Sequence, residues 1–103
     1  MKYEKTPAFE ADVRALDKDH YDLFRRVVRE KFRPAAERKA ADPSASWPRS
    51  LRVRRVEGTR GVWEMTWSFA GPDGRATFEW VEIDGEPGIR WRRVGSHDIF
   101  ERP

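Results

Sequence analysis

The 103-residue chain has no cysteine, which excludes disulfides and thiolate metal sites. It has two histidines, His20 and His97, far apart in the chain. That argues against a zinc site. No apolar run approaches the roughly 20 residues a membrane-spanning helix needs. The start, Met1-Lys2-Tyr3-Glu4-Lys5, runs into polar sequence without a signal-peptide pattern. The glycines sit at turns, so no phosphate-cradling glycine loop is present, and no serine lies in a Gly-x-Ser-x-Gly context. Internal repeats and low-complexity segments are missing too. These absences lead us to expect one cytoplasmic domain over residues 1–103, with no metal, cofactor or membrane.

Arginine and tryptophan are abundant. The chain carries 21 basic residues, and only five are lysine (2, 5, 18, 31 and 39), so 16 are arginine. The net charge is a modest +3. Arginine presents a rigid fork of donors that matches phosphate oxygens, which lysine does not. Five tryptophans fill a short chain. A GC-rich genome also favours arginine, and tryptophan also fills small cores, so placement has to decide.

The first half reads helical. Phe9, Val13 and Leu16 share a helical spacing from Ala8 to Leu16, and Asp17-Lys18-Asp19 interrupts it with capping residues. From His20, Tyr21, Phe24, Val27, Val28, Phe32 and Ala35 recur with a period near about 3.6. Pro34 should end or kink that helix, because it has no N–H for the preceding turn. A short first strand over Lys2 to Lys5 is an option. Ala41 to Ser50, with two prolines and three serines, is a loop by composition.

The second half reads as a meander. Strands are expected over Leu51 to Val56, Gly61 to Phe69, Arg75 to Ile83 and Ile89 to Val94, separated by turns such as Gly71-Pro72-Asp73-Gly74. The expected fold is α+β: two N-terminal helices on one face of a twisted antiparallel sheet of about four strands. Phe24, Val28, Trp63, Met65, Trp67, Phe78 and Trp91 should form the core, which leaves Trp47 as the most exposed tryptophan.

Three features bear on chemistry. Arg52, Arg54 and Arg55 lie on the first strand of the meander, and Arg90, Arg92 and Arg93 on the last. Strand residues two apart share a face, so Arg52 with Arg54, and Arg90 with Arg92, make two stripes. Such stripes suit phosphate; they also suit the solvated face of a half-buried sheet, balanced by Glu79 and Glu82. His97 follows a strand end and a glycine, where functional residues gather. An imidazole can give or take a proton at neutral pH, though tail histidines are also simply exposed. Glu64 interrupts an apolar strand, where a carboxylate is either a base beside an arginine or an outward residue paired with one.

Three segments in order resemble the RelE/ParE superfamily of bacterial toxins across nearly the whole chain. AFEADVRALDKDHYDLFRRVV, ending at Val28, looks like its opening helical hairpin. LRVRRVEGTRGVWEMTW is similar to its basic strand and the strand after it. IRWRRVGSHDIFERP looks like its last strand and tail, most of all in the YafQ-type branch. The resemblance implies the toxin of a type II toxin–antitoxin pair, a metal-independent endonuclease that cuts mRNA on the ribosome. By motif match, His97 would be acid or base, and Arg93 or Arg92 would stabilise the transition state. Phe100 would be the tail aromatic, and Arg52, Arg54 and Arg55 would hold RNA. A cognate antitoxin would cover the arginines. The chain departs from the pattern in Gly61–Trp67, where Glu64 is the only ionisable side chain, and at Phe100, which cannot donate a proton. Two alternatives follow: a ParE-like inhibitor that binds DNA gyrase and cuts nothing, and an inactive RNA-binding relic of the fold.

Overall fold

The computed structural model describes residues 1–68 and 73–103, with the backbone alone for His97. Gly71 and Pro72 of the expected turn lie outside the described residues. The elements run β1 (Lys2–Lys5), α1 (Pro7–Ala15), α2 (Lys18–Val27), a π-helical turn (Val28–Phe32) and α3 (Arg33–Ala41). A 3₁₀ turn (Arg49–Leu51), β2 (Arg54–Arg55), β3 (Val62–Ser68), β4 (Gly74–Ile83), β5 (Glu86–Gly95) and a last 3₁₀ turn (His97–Glu101) follow.

Local chemistry explains the helix boundaries. The Thr6 side chain accepts from Phe9 N, and Pro7 opens α1 where its missing N–H costs nothing. The Asp17 side chain accepts from Asp19 N at the start of α2. Pro34 does not end the helix. The turn before it widens instead, so that Arg33 N–H reaches Val28 O, five residues back. Widening relieves the missing donor at Pro34, and α3 continues to Ala41. The helical part therefore has three α segments where the sequence suggested two, and short helical turns recur later in the chain.

The α+β class holds, but two details of the expected sheet do not. Among the described residues the sheet has five strands, in the order β1-β5-β4-β3-β2. It is also mixed: β1 pairs with β5 in parallel, Tyr3 opposite Ile89, while the other pairs are antiparallel. The parallel pair arises because the helices carry the chain over the sheet before the meander brings β5 back beside β1.

Phe9, Phe24 and Phe32 from the helices meet Met65, Trp67, Phe78 and Trp91 from the sheet. Phe24 meets the rings of Trp67 and Trp91 edge-on, at 5.9 and 5.3 Å. Of the expected core, Phe24, Met65, Trp67, Phe78 and Trp91 are buried, whereas Val28 and Trp63 are half-buried at its margin. Trp47 is not the exposed tryptophan. It stacks on Phe32 at 5.2 Å and leans on Phe78, closing the core from the loop after α3.

The other sheet face carries charge. Register places Glu64, Thr77, Arg93 and, one row along, Glu79 and Arg90 on it. The final 3₁₀ turn lies over this face with Ile99 buried, and Pro103 O accepts from Thr77 Oγ1 and Arg92 Nε. Among the described residues, no helix is long and apolar enough to cross a membrane.

Candidate functional site

The structure divides the residues singled out from the sequence into two groups under the tail. Arg54, Arg55, Glu64 and Phe100 line one cleft of about 400 Å³, together with Val56 and Glu57. Strand pairing creates it: Arg54 lies opposite Glu64, and Arg55 opposite Trp63. Glu64 is 4 % exposed. Its carboxylate accepts from Arg54 Nε, and Arg75 Nη1 stands 3.6 Å away. Arg54 stays 68 % exposed while Arg75 is 12 % exposed, so one cation reaches solvent and the other is part of the interior. The hydrogen bond to Glu64, and then its charge, push the Arg54 pKa up. Arg55 lies over the Trp63 ring, 5.6 Å from its centre.

Arg52 does not share a strand face with Arg54. The expected strand from Leu51 is replaced by the Arg49–Leu51 turn, and Arg52 is left-handed at φ 46°. Strand pairing starts only at Arg54. The kink turns the chain from the core position of Leu51 onto the sheet edge.

The arginines of β5 form the second group, and acids already engage them. Arg90 donates to Glu4 at 2.5 Å and to Glu79 at 2.7 Å, and these bonds push its pKa up. Arg92 shares Glu79 and also holds Pro103 O. Register slips between Thr77 and Phe78 on β4, so Arg92 is the extra residue of a bulge. The bulge sets Arg93 toward the tail as well. Arg93 donates through Nε and Nη2 to Asp12 and through Nη1 to Arg102 O. The same Asp12 carboxylate accepts Val94 N at 3.0 Å. This bidentate pairing raises the Arg93 pKa.

His97 opens the final turn, three residues before Phe100. Its side chain lies outside the described residues. No group of three or more acids and histidines is placed to hold a metal ion among the described residues.

Two participants escaped the sequence. Arg75 was readable in principle, since it alternates with Thr77 and Glu79 on the charged face of β4. Asp12 was not, because nothing in a helical pattern says which acid will meet a strand about 80 residues away. No family model, no curated protein and no solved structure matches this chain.

Proposed function

We propose that this chain is the toxin of a type II toxin–antitoxin pair, of the RelE/ParE kind, and cuts ribosome-bound mRNA in the cytoplasm without a metal. The observation that carries the reading is the convergence of Arg54, Arg55, Glu64 and Phe100 on one open cleft. In the reaction the RNA 2′-oxygen attacks the adjacent phosphorus. The O2′–P bond forms, the P–O5′ bond breaks, and a cyclic phosphate and a free 5′-hydroxyl result. The 2′-hydroxyl proton goes to a base, and the leaving 5′-oxygen receives one from an acid. In this reading Glu64 accepts the first, and His97 supplies the second. Arg54 and Arg55 supply positive charge for the crowded phosphate, and Phe100 offers a ring for a base. Arg93 acts by holding the tail, since its guanidinium is bound to Asp12 and Arg102. The antitoxin would cover the cleft.

One observation favours a second reading. Arg92 and Arg93 are both engaged by acids and main-chain carbonyls, and Glu64 is flanked by two guanidiniums. A surface so neutralised suits a protein that binds without cutting, such as a ParE-like gyrase inhibitor.

Inducible expression with growth curves and mapping of mRNA 5′ ends tests both readings. Wild type should arrest growth and create new mRNA ends, and Glu64→Gln and His97→Ala should each abolish the cuts. Arrest with intact mRNA would replace the nuclease by the gyrase reading. Normal growth would leave an inactive relic of the fold.

A further inference from the structure

On the helix face, away from the acid-paired arginines of β4 and β5, several cations have no acidic partner among the described residues. Between β1 and α2 lies a pocket of about 290 Å³. Its walls are aromatic: Tyr3, Phe9, Phe24 and Trp91 line it. Its rim is cationic: Lys5, Arg25, Arg29 and Arg33 surround it. Among the described residues Lys5, Arg25 and Arg33 form no ion pair, and Arg29 has only Glu30, at 3.9 Å. Arg54, Arg75, Arg90, Arg92 and Arg93, by contrast, each meet a carboxylate.

The cations are held against rings. Arg33 lies 4.9 Å from the Tyr3 ring centre and Arg25 5.8 Å from that of Tyr21. Stacking a guanidinium on a ring fixes its position and leaves its edge donors open to an anion. The π-helical turn, Val28–Phe32, runs through the pocket wall, carrying Val28 and Arg29 into it. Single π turns often mark binding sites.

We propose that this pocket binds a nucleotide, its base against the aromatic wall and its phosphate on Arg25, Arg29, Arg33 and Lys5. The volume, at the low end of the range for ligand pockets, suits one nucleotide and not a larger cofactor. The ligand is a free mononucleotide or one unpaired residue of an RNA strand, since both present the same ring and phosphate. The site is separate from the cleft at Glu64: β1 and β2 are opposite edges of the sheet, four strand spacings or roughly 19 Å apart. It does not depend on the proposed toxin activity.

Calorimetric titration tests it with three probes: AMP, a single-stranded RNA tetranucleotide, and a tetra-aspartate peptide as an anion without rings. Variants are the double change Arg25→Ala with Arg33→Ala, and Arg60→Ala on the far edge as control. All three positions are exposed, so folding should survive. AMP should bind with a Kd below about 1 mM, and the double change should weaken it at least about 10-fold while Arg60→Ala does not. RNA binding with the same dependence, but no AMP binding, would place the nucleotide in an RNA strand and still support the site. Failure of both AMP and RNA to bind would overturn the proposal. So would binding that the double change leaves intact, or tetra-aspartate binding as tightly as AMP through the same arginines.

Discussion

Asp12 of α1 holds Arg93 of β5 through two parallel bonds, 2.6 and 3.0 Å long, and accepts the backbone N–H of Val94 with the same carboxylate. The pairing sits just past the end of β1, beyond Thr6, whose N–H donates to Trp91 O and whose Oγ1 donates to Arg92 O. Asp12 therefore continues by side chain the hydrogen bonding that β1 supplies by backbone. Asp12→Ala should cost about 3 kcal/mol, because it strips partners from a half-buried guanidinium and a buried strand N–H at once. Arg93→Lys should also destabilise, by about 1–2 kcal/mol, since an ammonium cannot make the parallel pair. Urea denaturation of both variants checks this. A loss near zero for Asp12→Ala would show that the pairing is decorative.

Glu64 and Arg54 should behave unequally although they are partners. Removing the Glu64 carboxylate leaves Arg75 in the interior with Asp73, at 3.2 Å, as its one acid among the described residues, and Glu64→Ala should cost about 3–5 kcal/mol. Arg54→Ala removes an exposed side chain but leaves the buried carboxylate with Arg75, and should cost less, about 1–2 kcal/mol. Equal losses by chemical denaturation would contradict the assignment of Arg75 as the buried partner. Arg54→Ala is for that reason the cleaner test of phosphate binding in the cleft.

Tyr3 predicts a pH dependence at the alkaline end. Burial pushes its pKa above the ordinary 10.0, against the opposing pull of the Arg33 guanidinium over its ring. The native state then keeps a proton that the unfolded chain has released. This contribution is fully present below 10.0 and is lost as pH rises through the native pKa. Unfolding midpoints of wild type should therefore fall between about pH 9 and about pH 11 more steeply than those of Tyr3→Phe. Identical slopes would mean that Tyr3 titrates like a free phenol.

Gly74 is fixed by contact. A Cβ there would lie 2.5 Å from the Trp67 indole, whose Nε1–H donates to Arg75 O at 2.9 Å. Trp67 packs edge-on against Phe24, so it has little room to retreat. Gly74→Ala should destabilise by about 1–3 kcal/mol and shift the tryptophan fluorescence. Unchanged stability and emission would show that the indole moves freely.

Periodicity alone determined much of this protein. The apolar spacing from Tyr21 to Ala35 specified a helix, and the alternation around Trp63, Met65 and Trp67 specified a strand, because one face of each must leave water. The same alternation put Arg54 and Glu64 where strands could pair them. Tertiary structure alone decided the rest. Pro34 reads locally as a helix end, yet packing of Phe32 and Ala36 on either side favours a widened turn over a break. Trp47 lies in a loop by composition, but a ring that can stack on Phe32 gains more by closing the core over it than by facing water. The arginines show the limit most clearly. Their number and spacing are written in the chain, but whether each meets an acid depends on partners such as Asp12 and Glu4, about 80 or more residues away. Charge neutralisation is a property of distance in space, and distance in space is what the one-dimensional pattern does not contain.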